Sequence, residues 1–216
     1  MTYPQVGKGF FIALEGGEGT GKTTQAGLLV EALRGAGQDV VHTREPGGTE
    51  GAEAIRKLLL DPPAGGWGIR AEALLFAAAR ADHVDKLIGP ALAAGKWVVC
   101  DRFIDSSRAY QGHAGSLGDE LIRQLHLAGS TGLRPDVTLL FDVSDVNVAE
   151  RLMSRDRGRS DAIGGRDPAF HARVREGFRN LADGDDSVII IDGNGAPELV
   201  HRSVMAALKP FLEERD

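Results

Sequence analysis

Two rhythms of apolar and polar residues divide the chain. Short, mostly apolar stretches starting at Phe10, Asp39–Thr43, Lys96–Cys100, Asp136–Val143 and Ser187–Asp192 have the length and β-branched content of buried strands. Between them lie longer stretches rich in helix formers, Gln25–Arg34, Ala52–Leu60, Ile69–Ala94, Asp119–Ala128, Val146–Met153, Ala169–Leu181 and Pro197–Glu213. Asp61-Pro62-Pro63 stops the second of these, and Gly89-Pro90 reads as an interruption in the third. Five strands alternating with helices predict an α/β fold, a five-stranded parallel sheet with helices on both faces. In such sheets ligands bind beyond the carboxyl ends of the strands.

The remaining segments are polar or rich in glycine. Arg44–Gly51 (REPGGTEG) and Ala64–Gly68 read as turns and loop, and Ser106–Gly118 is polar and contains glycine. Ser154–Pro168 is too charged and glycine-rich to pack as core. With 216 residues and neither an internal repeat nor an interdomain linker, one domain spanning 1–216 is expected, with 154–168 as an excursion from it.

The first strand runs into Glu15-Gly16-Gly17-Glu18-Gly19-Thr20-Gly21-Lys22-Thr23-Thr24, in which Gly16, Gly21, Lys22 and Thr23 satisfy the phosphate-loop pattern G-x-x-x-x-G-K-[ST]. A helix follows, so the match has its required strand-turn-helix setting. The glycines let successive N–H groups turn inward at the positive end of that helix, a concave site for anions. In this pattern the lysine reaches the outer phosphates and the threonine hydroxyl serves Mg²⁺, roles that fall here to Lys22 and Thr23. The loop, Gly16, Gly17, Glu18, Gly19, Thr20, Gly21, Lys22, Thr23 and Thr24, is therefore the expected binding site of a nucleoside triphosphate with its Mg²⁺.

Charge and cysteine content narrow the class. Twenty-five basic against thirty-one acidic residues leave a net charge of −6, which argues against binding polymeric nucleic acid by bulk electrostatics. The single cysteine, Cys100, ends an apolar run and excludes an intrachain disulfide. The chain shows no secretory apolar core and no long apolar span, so a cytoplasmic protein without a membrane partner is expected.

The phosphate loop alone does not choose between kinases, GTPase switches and other ATPases. A GTPase should also show N-K-x-D, which is missing, and the D-x-x-G strings at Asp161–Gly164 and Asp192–Gly195 are poorly placed for a switch. Asp101-Arg102, at the end of the third strand, favours a kinase, because phosphoryl transfer needs a carboxylate near Mg²⁺ and a guanidinium to hold phosphates. Thr23 and Asp101 are thus the candidate metal ligands. Arg155, Arg157, Arg159 and Arg166 would suit a lid that closes over phosphates.

With EGGEGTGKTT, TREPGGT, EALLFAAAR, CDRFIDSSRAYQG, RPDVTLLFDV and FHARVREGF, the chain resembles the bacterial thymidylate kinases nearly end to end. These are phosphate-loop enzymes with a short lid, normally homodimeric and Mg²⁺-dependent, that convert dTMP and ATP to dTDP and ADP. The resemblance implies that Phe76 stacks on thymine, Arg80 hydrogen-bonds its O4 edge, and Ser107 and Gln111 complete the polar contacts to the base. It places Tyr110 near the sugar's 2′ carbon, gives Arg56 and Arg102 phosphate contacts, lines the site with Pro46, and sets Glu18 near the sugar and the transferred phosphoryl group. Lys22, Arg102, Arg157 and Glu18 are then the expected catalytic group. On periodicity alone Phe76 would be a core residue, and Ser107, Tyr110 and Gln111 ordinary loop residues.

This chain departs from the family in its lid. Family lids carry Asp-Arg-hydrophobe-acid where this chain has Asp161-Ala162-Ile163-Gly164. In one subgroup the phosphate loop supplies an arginine where this chain has Gly19, and aligning Arg157-Gly158 and Asp161 with the Arg-Gly and Asp of family lids implies that Arg157 matches the catalytic lid arginine. Another deoxynucleoside-monophosphate kinase and a non-catalytic nucleotide sensor are the alternatives that the residues leave open.

Overall fold

The computed structural model describes residues 9–156 and 162–213. Five strands, β1 (Phe10–Glu15), β2 (Val40–Arg44), β3 (Trp97–Asp101), β4 (Val137–Asp142) and β5 (Val188–Asp192), form one sheet in the order β2-β3-β1-β4-β5. Every pairing is parallel. The described helices are α1 (Lys22–Gly35), α2 (Glu50–Leu60), α3 (Ile69–His83), α4 (Gly89–Ala93), α5 (Ile104–Ser107), α6 (Asp119–Ser130), α7 (Asp145–Asp156), α8 (Pro168–Ala182) and α9 (Pro197–Glu213). Two π-helical segments, Val84–Ile88 and Arg108–Ala114, continue α3 and α5. No described helix is long and apolar enough to cross a membrane.

Alternation along the central strand explains why it is apolar from Phe10 to Leu14. Phe10, Ile12 and Leu14 pack with Leu29 and Leu33 of α1 and with Val204 and Leu208 of α9 on one face. Phe11 and Ala13 pack on the other face, with Ala73 of α3, Ile88 and Ile122 of α6. A strand covered on both sides has no solvent face to show, so all six of its residues are buried. A third apolar cluster joins Ala109, Tyr110 and Ala114 to Phe170, Val174 and Phe178 of α8.

Three sequence expectations shift. The first helix begins at Lys22 rather than Gln25, because the last residues of the phosphate loop are also its first turn, and its cap at Gly21 supplies no side-chain hydrogen bond. Gly89-Pro90 does not interrupt the third helix. The chain passes through one π-helical turn, and Pro90 falls in the opening turn of α4, where a missing N–H costs little. Ser106–Gly118 is helical over most of its length, through α5 and the π-helical turn after it, with Ala109, Tyr110, Gln111, Gly112 and Ala114 buried. This burial depends on Gly177 of α8, where an added Cβ would lie 3.0 Å from His113 Cβ and 3.2 Å from Ala109 Cα. The other boundaries move by a few residues. The most useful of these brings Asp101 into β3, opposite Leu14 and Arg44.

Candidate functional site

The carboxyl ends of β1, β2 and β3 open into a cleft of about 730 Å³ that extends from the phosphate loop to Phe76 and Gln111. At its floor the loop leaves β1 through Gly16, whose φ of 139° and position 2.7 Å (as an added Cβ) from Phe141 O exclude any side chain. Lys22 is buried and donates to Gly17 O at 2.5 Å and Thr20 Oγ1 at 3.1 Å. Burial, aided by Arg102, lowers its pKa to about 8. Thr23 Oγ1 donates to Asp101 Oδ2 at 2.6 Å. The two expected metal-binding oxygens therefore lie side by side, one from the first turn of α1 and the other from the end of β3.

Arg102 stands at the centre. Its backbone has φ 72°, a left-handed conformation that costs a non-glycine residue about 1–2 kcal/mol. Its guanidinium donates to Gly16 O at 2.9 Å, Glu18 Oε1 at 2.6 Å, Ser106 Oγ at 3.1 Å and Tyr110 Oη at 3.4 Å. Burial alone would weaken its charge, but Tyr110 and the carboxylates of Glu18, Asp101 and Glu15 raise its pKa. One side chain thus touches both the phosphate loop and the wall across from it.

Beneath Arg102 lies a residue that the sequence reading did not single out. Glu15, the last residue of β1, accepts hydrogen bonds from Phe103 N at 2.8 Å, Ser106 N at 3.0 Å and Ser106 Oγ at 2.6 Å. These bonds hold the turn on which Arg102 adopts its left-handed conformation. Burial first, and Asp105 second, raise the Glu15 pKa to about 7. An acidic residue closing the apolar run FFIALE was the available signal.

The far wall carries the residues expected at the base. Phe76 is half-buried and lines the cleft with Ser107, Tyr110 and Gln111. Arg56 also lines it and donates to Pro46 O at 2.8 Å, just after the cis Glu45–Pro46 peptide. Arg80 lies behind the wall, 3% exposed, and donates to Glu45 Oε2 at 2.7 Å, Phe103 O at 3.1 Å and Ser107 Oγ at 3.0 Å. It meets the cleft through Ser107 and Glu45, which do line it. His83 extends the network, with Nδ1 3.3 Å from Glu45 Oε1 and Nε2 2.7 Å from Thr43 Oγ1. Neither Glu45 nor His83 was singled out from sequence, since their meaning rests on partners some forty residues away.

The rim near the loop holds a further missed residue, Arg151 of α7, which donates to Gly193 O at 2.7 Å and reaches Thr20 O at 3.4 Å. Its signal was an arginine on the first helix after a strand that ends at the ligand edge. Of the lid arginines, Arg166 is paired with Glu72 and stacked over Phe170 at 4.5 Å. Arg157, Arg159, Asp161 and the Arg155 side chain lie outside the described residues. Among the described residues no group of three or more His, Cys, Asp or Glu side chains could hold a metal. A Mg²⁺ ion bound mainly through phosphates and water needs only one or two protein oxygens.

A parallel sheet in this order with a phosphate loop after its central strand defines a P-loop NTPase fold, and the second wall gives it room for a phosphate acceptor. The sequence profile of the thymidylate kinase family matches residues 14–204. The chain belongs to that family. The thymidylate kinase of Rhizorhabdus wittichii is 55% identical over 205 residues, covering 94% of this chain and 99% of its own. That of Exiguobacterium sibiricum is 43% identical, over 96% of this chain and 98% of its own. The crystal structure of thymidylate kinase from Ehrlichia chaffeensis superposes with a TM-score of 0.76 at 36% identity, covering 93% of this chain and 98% of that one.

The elevated Glu15 pKa makes stability depend on pH. Below pH 4.5 both folded and unfolded chains hold the proton, and Glu15 contributes no slope. Between 4.5 and about 7 the unfolded chain releases it first, so stability falls as pH rises, by up to about 3 kcal/mol for this one group. Glu15→Gln should shift overall stability and remove that part of the slope. Urea titrations of both proteins from pH 4.5 to 8 check this, and parallel stability curves would refute it.

Proposed function

We propose that this chain transfers the γ-phosphoryl group of ATP to dTMP, forming dTDP and ADP. A phosphate oxygen of dTMP forms a bond to the γ-phosphorus as the bond to the β–γ bridging oxygen breaks, and that oxygen leaves with ADP. The attacking phosphate is already anionic, so the reaction needs no general base. It needs alignment and charge compensation, which are what buried cations supply. The observation that carries this reading is the dual contact of Arg102, with Gly16 and Glu18 of the phosphate loop on one side and with Tyr110 of the acceptor wall on the other.

The remaining roles are those that the family resemblance implies. Lys22 would hold the outer phosphates of ATP, with the loop from Gly16 to Thr24 around them. Phe76, Ser107 and Gln111 would receive the base, with Arg80 behind Ser107. Arg56 and Arg102 would hold the acceptor phosphate, with Pro46 and Tyr110 beside the nucleotide and Glu18 near the sugar and the transferred group. Thr23 and Asp101, 2.6 Å apart, suit Mg²⁺, which when bound neutralises charge along the triphosphate. Arg157 is assigned as the lid cation. The protein is assigned to the cytoplasm.

A homodimer is part of this proposal. Leu58 of α2, Leu74 of α3, and Leu121 and Leu127 of α6 are 37–65% exposed. These helices pack side by side, α2 on α3 and α3 on α6. Large exposed apolar residues on adjoining helices favour association with a like surface.

Steady-state kinetics with a panel of monophosphates test the reaction. dTMP should be the best acceptor, with dUMP poorer by ~1–3 kcal/mol for its missing methyl and dCMP nearly inert. Comparable kcat/KM for dCMP and dTMP would refute the base assignment. Arg157→Ala should lower kcat at least ~100-fold, about 2.7 kcal/mol of transition-state stabilisation, with little change in the KM for dTMP. A near-normal kcat would remove Arg157 from the mechanism. Light scattering after gel filtration should give a dimer mass that Leu127→Glu converts to monomer, and a monomeric parent would refute the interface.

A further inference from the structure

Helix α3 presents Glu72, Phe76, Arg80 and His83 along one stripe, and the first of these has no role in the reaction described above. Glu72 is 4% exposed in the first turn. Its Oε1 accepts from Gln111 Nε2 at 2.8 Å, and its Oε2 pairs with Arg166. Both oxygens of a buried carboxylate are therefore engaged, one with the base pocket and the other with the far end of the lid segment.

This arrangement fixes the orientation of the Gln111 amide. A carboxylate only accepts hydrogen bonds, so an amide facing it must present its nitrogen, and the carbonyl oxygen is the atom left for the cleft that Gln111 lines. A free glutamine can rotate to offer either group, whereas Gln111, 1% exposed and bonded to Glu72, cannot rotate without leaving the carboxylate facing an oxygen. The Arg166 guanidinium compensates the buried charge that makes this restraint one-sided.

We propose that Glu72 is a positioning residue that sets the polarity of base reading, holding Gln111 as an acceptor so that the site selects a ring N–H over a ring nitrogen lone pair. This rests on the assignment of dTMP as acceptor. Thymine carries N–H at ring position 3, and cytosine carries an unprotonated acceptor there. Facing Gln111 Oε1, the first gains a hydrogen bond and the second meets a like acceptor. Glu72 touches neither substrate in this scheme and acts through Gln111 alone.

The test is the ratio of kcat/KM for dTMP to that for dCMP, measured in a double-mutant cycle of Glu72→Gln and Gln111→Ala. Glutamine at position 72 can accept from or donate to Gln111, which frees the amide to flip. The ratio should fall at least ~10-fold in Glu72→Gln, while the KM for ATP stays within about two-fold. Against a Gln111→Ala background the same substitution should leave the ratio unchanged, because the group it positions is gone. Glu72→Asp, which keeps the charge, serves if Glu72→Gln melts early, and should retain more of the discrimination than Glu72→Ala. A parent that discriminates while Glu72→Gln keeps its ratio would overturn the positioning role. Equal effects of Glu72→Gln with and without Gln111 would also overturn it. A parent that does not prefer dTMP would instead refute the acceptor assignment.

Discussion

The site depends on cations held out of water beside a loop shaped for phosphate. An uncompensated buried charge costs several kcal/mol, so the free protein must supply temporary partners. Lys22 finds them in Gly17 O and Thr20 Oγ1, and Arg102 finds them in Gly16 O and Glu18. Burial first, and the neighbouring Arg102 second, still lower the Lys22 pKa to about 8. On the proposed function, phosphate binding would exchange one set of partners for a better one within a geometry already formed. Glu18 is the natural residue to be displaced. It is a quarter exposed, and its bond to Arg102 can be given up to an incoming anion.

Below this exchange sits a part of the structure that does not give way. Glu15 fastens β1 to the turn after β3 through Phe103 N, Ser106 N and Ser106 Oγ. The same strand end delivers the phosphate loop. The distance between loop and acceptor wall is therefore held by one buried side chain and by the β1–β3 register that pairs Leu14 with Asp101. A left-handed Arg102 can be kept there because the neighbouring N–H groups have a carboxylate to bind, and that carboxylate's preference for its proton reflects how thoroughly it is buried.

What could be read from the chain divides along sequence distance. The phosphate loop and the five strands were legible, because their signals lie within a few residues. The helix within the polar, glycine-containing stretch Ser106–Gly118 was not legible, because what buries it is α8, with Gly177 giving it room. Gly89-Pro90 misled for a related reason: a proline breaks a helix only where its N–H is needed, and the π-helical turn before it puts Pro90 in an opening turn. The expected acceptor-site residues Phe76, Ser107, Tyr110 and Gln111 came from resemblance, since periodicity alone makes Phe76 core. Glu15, Glu45, Glu72 and Arg151 stayed hidden. Each is an ordinary residue locally, and each acquires meaning from a partner brought to the same sheet edge from elsewhere in the chain.

The overall charge appears at odds with a site for two anionic nucleotides. The chain carries −6, yet Lys22, Arg44, Arg56, Arg102 and Arg151 all line the cleft, against Glu18, Glu45 and Asp101. Screening resolves this. At physiological salt a charge is felt over about 8 Å, so a nucleotide entering the cleft responds to the lining more than to acidic residues on the outer helices. Within the cleft the low-dielectric walls strengthen that response. The acidic exterior and the cationic cleft are thus separate features, and total charge gives no account of what the site attracts. What decides it is the convergence of strand ends, because only the carboxyl edge of the sheet brings residues 22, 44, 56, 102 and 151 within reach of one small ligand.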